Sequence, residues 1–201
     1  PATRRKGINK LTWSMRMKPP RTAPGVRLDY AGFVSPLVEK GTYTVKLLKG
    51  DKTFEGKIEL IDDPLLTHSE ADKKLQRETA MKIYGMVEDL AFFTTQIVSM
   101  KDTLKKRDTL ATDKALKKII STTVDSLESI RKKLIATKGG LAITGEERIR
   151  EKLSELFAGV VYYLGRPTDL QLERIKGLEK EMNDEKAKAE NLPLGKPLDW
   201  G

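Results

Sequence analysis

The apolar residues of this chain change their period once. Before residue 60 they alternate, and beyond residue 80 they recur at every third and fourth position. A period of two belongs to a half-buried strand, and a period near 3.6 belongs to a helix with one buried stripe. The switch falls at Asp62-Asp63-Pro64. A run of strands followed by a run of helices reads as an α+β chain in two modules.

In the first module, segment 8–17 carries Leu11, Trp13, Met15 and Met17 on one face and Lys10, Thr12, Ser14 and Arg16 on the other. The pattern predicts a strand with Trp13 turned inward. Residues 18–36 hold four prolines and two glycines and read as loop. Tyr43, Val45 and Leu47 then share a face, Lys49-Gly50-Asp51-Lys52 supplies a hairpin turn, and Phe54, Ile58 and Leu60 alternate on the return strand. Three strands are expected, with room for more in 26–38. So small a sheet needs a second layer to bury its apolar face.

In the second module, Ile83, Met86, Leu90, Phe93, Ile97, Met100 and Leu104 repeat at alternating steps of three and four. That seam predicts one long helix, opened by a capping box of Thr67 with Glu70. A second helix carries Leu116, Ile120, Thr123, Leu127, Ile130 and Leu134 and should stop at Gly139-Gly140. Thr144 with Glu147 and Thr168 with Gln171 are further capping boxes. The helices they open carry Ile149, Leu153, Leu156, Val160 and Tyr163, then Leu172, Ile175, Leu178 and Met182. Short connections between four amphipathic segments predict an antiparallel four-helix bundle. Gly85, Gly159 and Gly177 lie inside helices, where close helix approach is one rationale for them. The expected boundaries are 1–64 for the strand module, 65–190 for the bundle and 191–201 for an extended tail in which Trp200 docks.

Chemistry is scarce. The chain has no cysteine and one histidine, His68. Disulfides, thiol nucleophiles and Cys-type zinc sites are excluded, and no second histidine completes a metal site. No phosphate-binding loop and no nucleophile elbow are present. Asp62 and Asp63 point to opposite faces of an extended segment, so a paired acid and base is not expected there. Glu146 and Glu147 fall in an expected first helical turn, where the helix dipole favours acids. One of Tyr162 and Tyr163 should be core by helix phase. No catalytic residue, metal ligand or cofactor is expected, and no stretch is apolar for long enough to span a membrane.

The formal charge of +9 is unevenly placed. Residues 1–62 hold thirteen basic and six acidic side chains, whereas the remainder is nearly neutral. Arg4, Arg5, Lys6, Lys10, Arg16, Lys18, Arg21 and Arg27 form a strip without an acid. Such a strip suits an anionic partner. Nucleic acid is disfavoured, because stacking aromatics are not interleaved with the cations.

Three stretches carry a resemblance. They are Gly7-Ile8-Asn9-Lys10-Leu11-Thr12-Trp13-Ser14-Met15-Arg16, then Lys40-Gly41-Thr42-Tyr43-Thr44-Val45-Lys46-Leu47, then Asp62-Asp63-Pro64. Their order and spacing resemble the C-terminal region of bacterial BNR-repeat (Asp-box), sortilin-like β-propeller proteins of the glycosyl hydrolase-like kind. Ser14, Lys40 and Leu65 depart from that family's motifs, which have Asp, Pro and Arg there. The resemblance implies an immunoglobulin-like β-sandwich followed by helices, a secreted, periplasmic or envelope location, and an upstream propeller as partner. It also implies that any active site lies outside these residues, since no Asp box occurs in them. The chain starts at Pro1 without a Met and is read as a piece of a longer or processed protein.

The expected function is a non-catalytic accessory module of such a protein. The alternative is a stand-alone module binding nucleic acid or an anionic polysaccharide through the basic strip. A glycosidase using Asp62 or Asp63 with a Glu ranks last, because nothing assembles a carboxylate pair at the required separation.

Overall fold

The computed structural model describes residues 7–25, 35–138 and 146–193. They contain strands β1 (Gly41–Lys49) and β2 (Lys52–Leu60) and helices α1 (Glu70–Leu110), α2 (Lys114–Leu134), α3 (Ile149–Tyr162) and α4 (Asp169–Glu190).

The immunoglobulin-like sandwich is not present: the sheet has two strands, ordered β1-β2. No second layer covers them among the described residues, and none of the four helices backs either strand. Segment 8–17 is not a strand. It meets the chain ahead of β1 at a single bridge, Arg16 to Leu37. There the Met17 N–H donates to the Pro36 carbonyl, and the Val38 N–H to the Met15 carbonyl, both at 2.9 Å. Met15 itself has φ 54°, in the left-handed region that non-glycine residues rarely adopt. An extended run cannot pass through that conformation, so the ladder stops there. Of the further strands expected in 26–38, residues 26–34 lie outside the described residues.

The helices hold the core. All seven seam residues of α1 are buried, together with Val87 and Ala91. At about 1.5 Å per residue, 41 residues make α1 about 60 Å long, and α2, α3 and α4 all pack on it. α2 buries Ile120, Thr123, Leu127, Ile130 and Leu134, while Leu116 stays exposed. α3 buries Phe157 in place of the expected Leu156, and α4 buries Ile175, Leu178 and Met182. Tyr162 and Tyr163 are both exposed, so neither is core.

Helix starts agree in part with the capping patterns. Thr168 and Gln171 form the expected reciprocal pair: the Gln171 N–H donates to the Thr168 hydroxyl at 3.2 Å, and the Thr168 N–H to the Gln171 amide oxygen at 2.9 Å. α1 begins two residues later than expected, because Ser69 rather than Thr67 accepts from the backbone, taking the Asp72 N–H at 3.1 Å. α3 begins after Arg148, so Glu146 and Glu147 precede the helix and Glu151 takes the Arg148 N–H. Thr144 and Gly139-Gly140 lie outside the described residues, and α2 already ends at Leu134.

A Cβ built on Gly85 or Gly177 meets nothing within 4 Å, so close helix approach does not explain them. Gly177→Ala should therefore raise stability by about 0.5–1 kcal/mol and the melting temperature by about 1–4 °C. A thermal scan in which the variant melts lower would show that this glycine serves a contact.

Candidate interaction surface

The hairpin stands on a two-residue turn, Gly50-Asp51, closed by the pair Lys49 and Lys52. Gly50 has φ 58°, which a glycine accepts without strain and the first position of a tight hairpin turn requires. The turn sets the register: Tyr43 opposite Ile58, Val45 opposite Gly56, and Leu47 opposite Phe54. Residues opposite each other point the same way. One face therefore presents Tyr43, Val45, Leu47, Phe54, Ile58 and Leu60, with Lys49 and Lys52 at its turn end and no charge between them. The other presents Thr42, Thr44, Lys46, Thr53, Glu55, Lys57 and Glu59 with Leu48. Lys46 and Glu55, directly opposite, form an ion pair at 2.8 Å.

The middle of the apolar face is uncovered among the described residues. Val45 is 40% exposed, Leu47 56%, Phe54 52% and Ile58 43%. Trp13, expected inside, is 39% exposed and lies edge-on to Tyr43 with ring centroids 5.1 Å apart. Leu11 and Ile8 in the same segment are also exposed. Scattered surface leucines are ordinary, but a contiguous apolar face of this kind marks a contact site. An isolated two-stranded hairpin is marginal in water without such a contact.

Ionic contacts fasten the hairpin to α1. The Lys40 ammonium donates to Asp62 at 2.9 Å and to Glu70 at 3.1 Å; that of Lys73 donates to Glu70 at 2.9 Å and to Asp62 at 3.2 Å. The ring alternates in sign. Asp62 is held below the ordinary carboxylate range chiefly by the hydrogen bond from Lys40, and Glu70 chiefly by that from Lys73. Both lysines are pushed up in return, by Asp62 and Glu70 respectively. Arg77 adds an ion pair with Glu39. A recess of about 750 Å³ lies here, floored by Leu37, Leu60, Leu66 and Leu164. Lys40, Asp62, Glu70 and Lys73 on its wall are engaged with one another, which makes it a joint between hairpin and helix.

The remaining expected residues disperse. Lys10, Lys18 and Arg21 are exposed. Arg16 is half-buried, donates to the Ser35 carbonyl at 2.6 Å and lies 5.9 Å over the Tyr162 ring. Arg4, Arg5, Lys6 and Arg27 lie outside the described residues, as does Trp200. Asp62 and Asp63 have separate tasks, since the Asp63 carboxylate accepts the Leu65 N–H at 2.9 Å. A carboxylate kept ionised by two ammonium groups, as Asp62 is, lacks the raised pKa that a glycosidase acid needs. His68 packs edge-on to Tyr163 at 5.6 Å. Among the described residues no group of three His, Asp or Glu side chains could hold a metal ion, and no helix is long and apolar enough to cross a membrane.

The ion ring escaped the sequence reading because Lys40 and Glu70 are thirty residues apart and only the return of β2 brings them together. No protein-family model, no curated protein and no solved structure matches this chain.

Proposed function

We propose that this chain is a non-catalytic interaction module of a larger secreted or envelope protein, and that it docks through the apolar face of its hairpin. The supporting observation is that face itself: six apolar side chains on a sheet that no layer backs among the described residues. Two of the three stretches that resemble the propeller-protein tail contribute to the surface, since Trp13 and Tyr43 meet there. The occupant fitting both facts is a neighbouring domain of the same protein, the upstream propeller. The anionic-ligand reading has less behind it, because Arg16 is engaged with Ser35 and Tyr162.

Amide hydrogen exchange tests this. Residues 43–47 and 54–60 should exchange slowly when this chain is joined to the propeller domain and much faster when it is alone. Equal exchange in both would contradict the docking role.

A further inference from the structure

The outer edge of β2 is as open as the apolar face. β1 is its one strand neighbour among the described residues, so one row of its backbone N–H and C=O groups lacks a ladder partner. The sequence along that edge has a symmetry of its own. β2 runs from Lys52 to Leu60 with Gly56 at its midpoint, and Glu55 and Lys57 flank the midpoint with opposite charges.

We propose that β2 pairs antiparallel with β2 of a second copy of this chain, about a two-fold axis through Gly56, giving one four-stranded sheet. In that register Glu55 lies opposite the partner's Lys57, and Phe54 lies opposite the partner's Ile58. All nine residues of the strand are paired. On the polar face, Lys46, Glu55 and the partner's Lys57 follow one another across three strands with alternating sign. On the apolar face, Leu47, Phe54, the partner's Ile58 and the partner's Tyr43 form a continuous row. Opposite charges and aromatic–β-branched pairs are the cross-strand combinations that stabilise sheets.

The neighbouring registers are worse, and one centred on Ile58 pairs only residues 56–60 of the strand. Centring on Glu55 or on Lys57 sets like charges opposite each other. A shift by one residue turns the two apolar faces to opposite sides of the sheet. The outer edge of β1, centred on Val45, sets Thr44 opposite Lys46 and gains no ion pair. Four strands also exceed the two that are marginal alone. The surface proposed above for docking would be doubled and left open.

Sedimentation velocity on the full chain, over a wide concentration range, tests the pairing. The parent chain should show a reversible monomer–dimer equilibrium. K57E sets a carboxylate opposite Glu55 twice per dimer and should weaken the dimer about tenfold. The triple variant K46E/E55K/K57E keeps every pair while reversing its sign and should restore it. Lys57 is exposed on the polar face, so helical circular dichroism should be unchanged in K57E. A monomer at all concentrations would overturn the proposal, as would a dimer indifferent to K57E or a triple variant as weak as K57E. The inference is independent of the propeller reading: K57E leaves the apolar face intact, so failure here does not alter the outcome of the exchange experiment.

Discussion

Phe93→Ala should lower the stability of the chain by about 3–5 kcal/mol, the usual range for emptying a buried aromatic site. Phe93 is 1% exposed, in the middle of the helix on which the other three pack. Its ring is held by side chains of a core made almost wholly of helical residues. Rigid helices cannot close around the space a deleted ring leaves, so a cavity term adds to the lost burial. At about 2–4 °C per kcal/mol for a chain of this size, the melting temperature should fall by about 6–20 °C. Urea unfolding followed by helical circular dichroism measures the loss. A change below about 1 kcal/mol would place the core elsewhere.

Glu128→Gln should have the second largest effect, and the effect should depend on pH. Glu128 on α2 accepts from the Arg131 guanidinium at 2.9 and 2.6 Å and also pairs with Lys101 of α1. The group is only a quarter exposed. The Arg131 hydrogen bonds, aided by Lys101 and opposed by burial, bring its carboxyl from 4.5 to about 2. A carboxyl whose pKa is depressed on folding contributes stability at pH values above its unfolded value. That contribution is lost as the pH falls through the folded value. The contribution should thus be complete above about pH 4.5 and gone near pH 2. Partial exposure reduces it to about 1–3 kcal/mol. Stability of the parent and of Glu128→Gln, measured from pH 7 to pH 2, should converge at the acid end. Parallel curves would show that the pair does not join α1 to α2 in this way.

The helical part was legible where period and spacing carried the information. The α1 seam from Ile83 to Leu104 is buried at every position, and Thr168 with Gln171 caps α4 as their separation suggests. Local chemistry was less decisive where two capping candidates competed, as at Thr67 and Ser69. Helix phase also failed at Tyr163, because α3 ends at Tyr162 and the phase no longer applies. The sandwich was illegible for a different reason. Alternation in Leu11, Trp13, Met15 and Met17 shows that one face is apolar, but it names no neighbour to cover it. The left-handed turn at Met15 and the lack of a backing layer among the described residues are tertiary facts. So is the joint of Lys40, Asp62, Glu70 and Lys73, whose members look like ordinary solvated charges in the sequence. The hairpin is legible in Lys49-Gly50-Asp51-Lys52, whereas its uncovered face depends on what packs nearby.

The hairpin's apolar face as surface, not core, is checked by the triple substitution Val45→Thr, Leu47→Thr and Phe54→Thr. Threonine keeps the strand preference while removing most of the apolar area. The melting temperature should stay within about 3 °C of the parent, as for exposed positions, and binding of the dye ANS, which reports exposed apolar surface, should drop sharply. A melting temperature lowered by about 8 °C or more, with dye binding unchanged, would show that these side chains belong to the core and that the docking face does not exist.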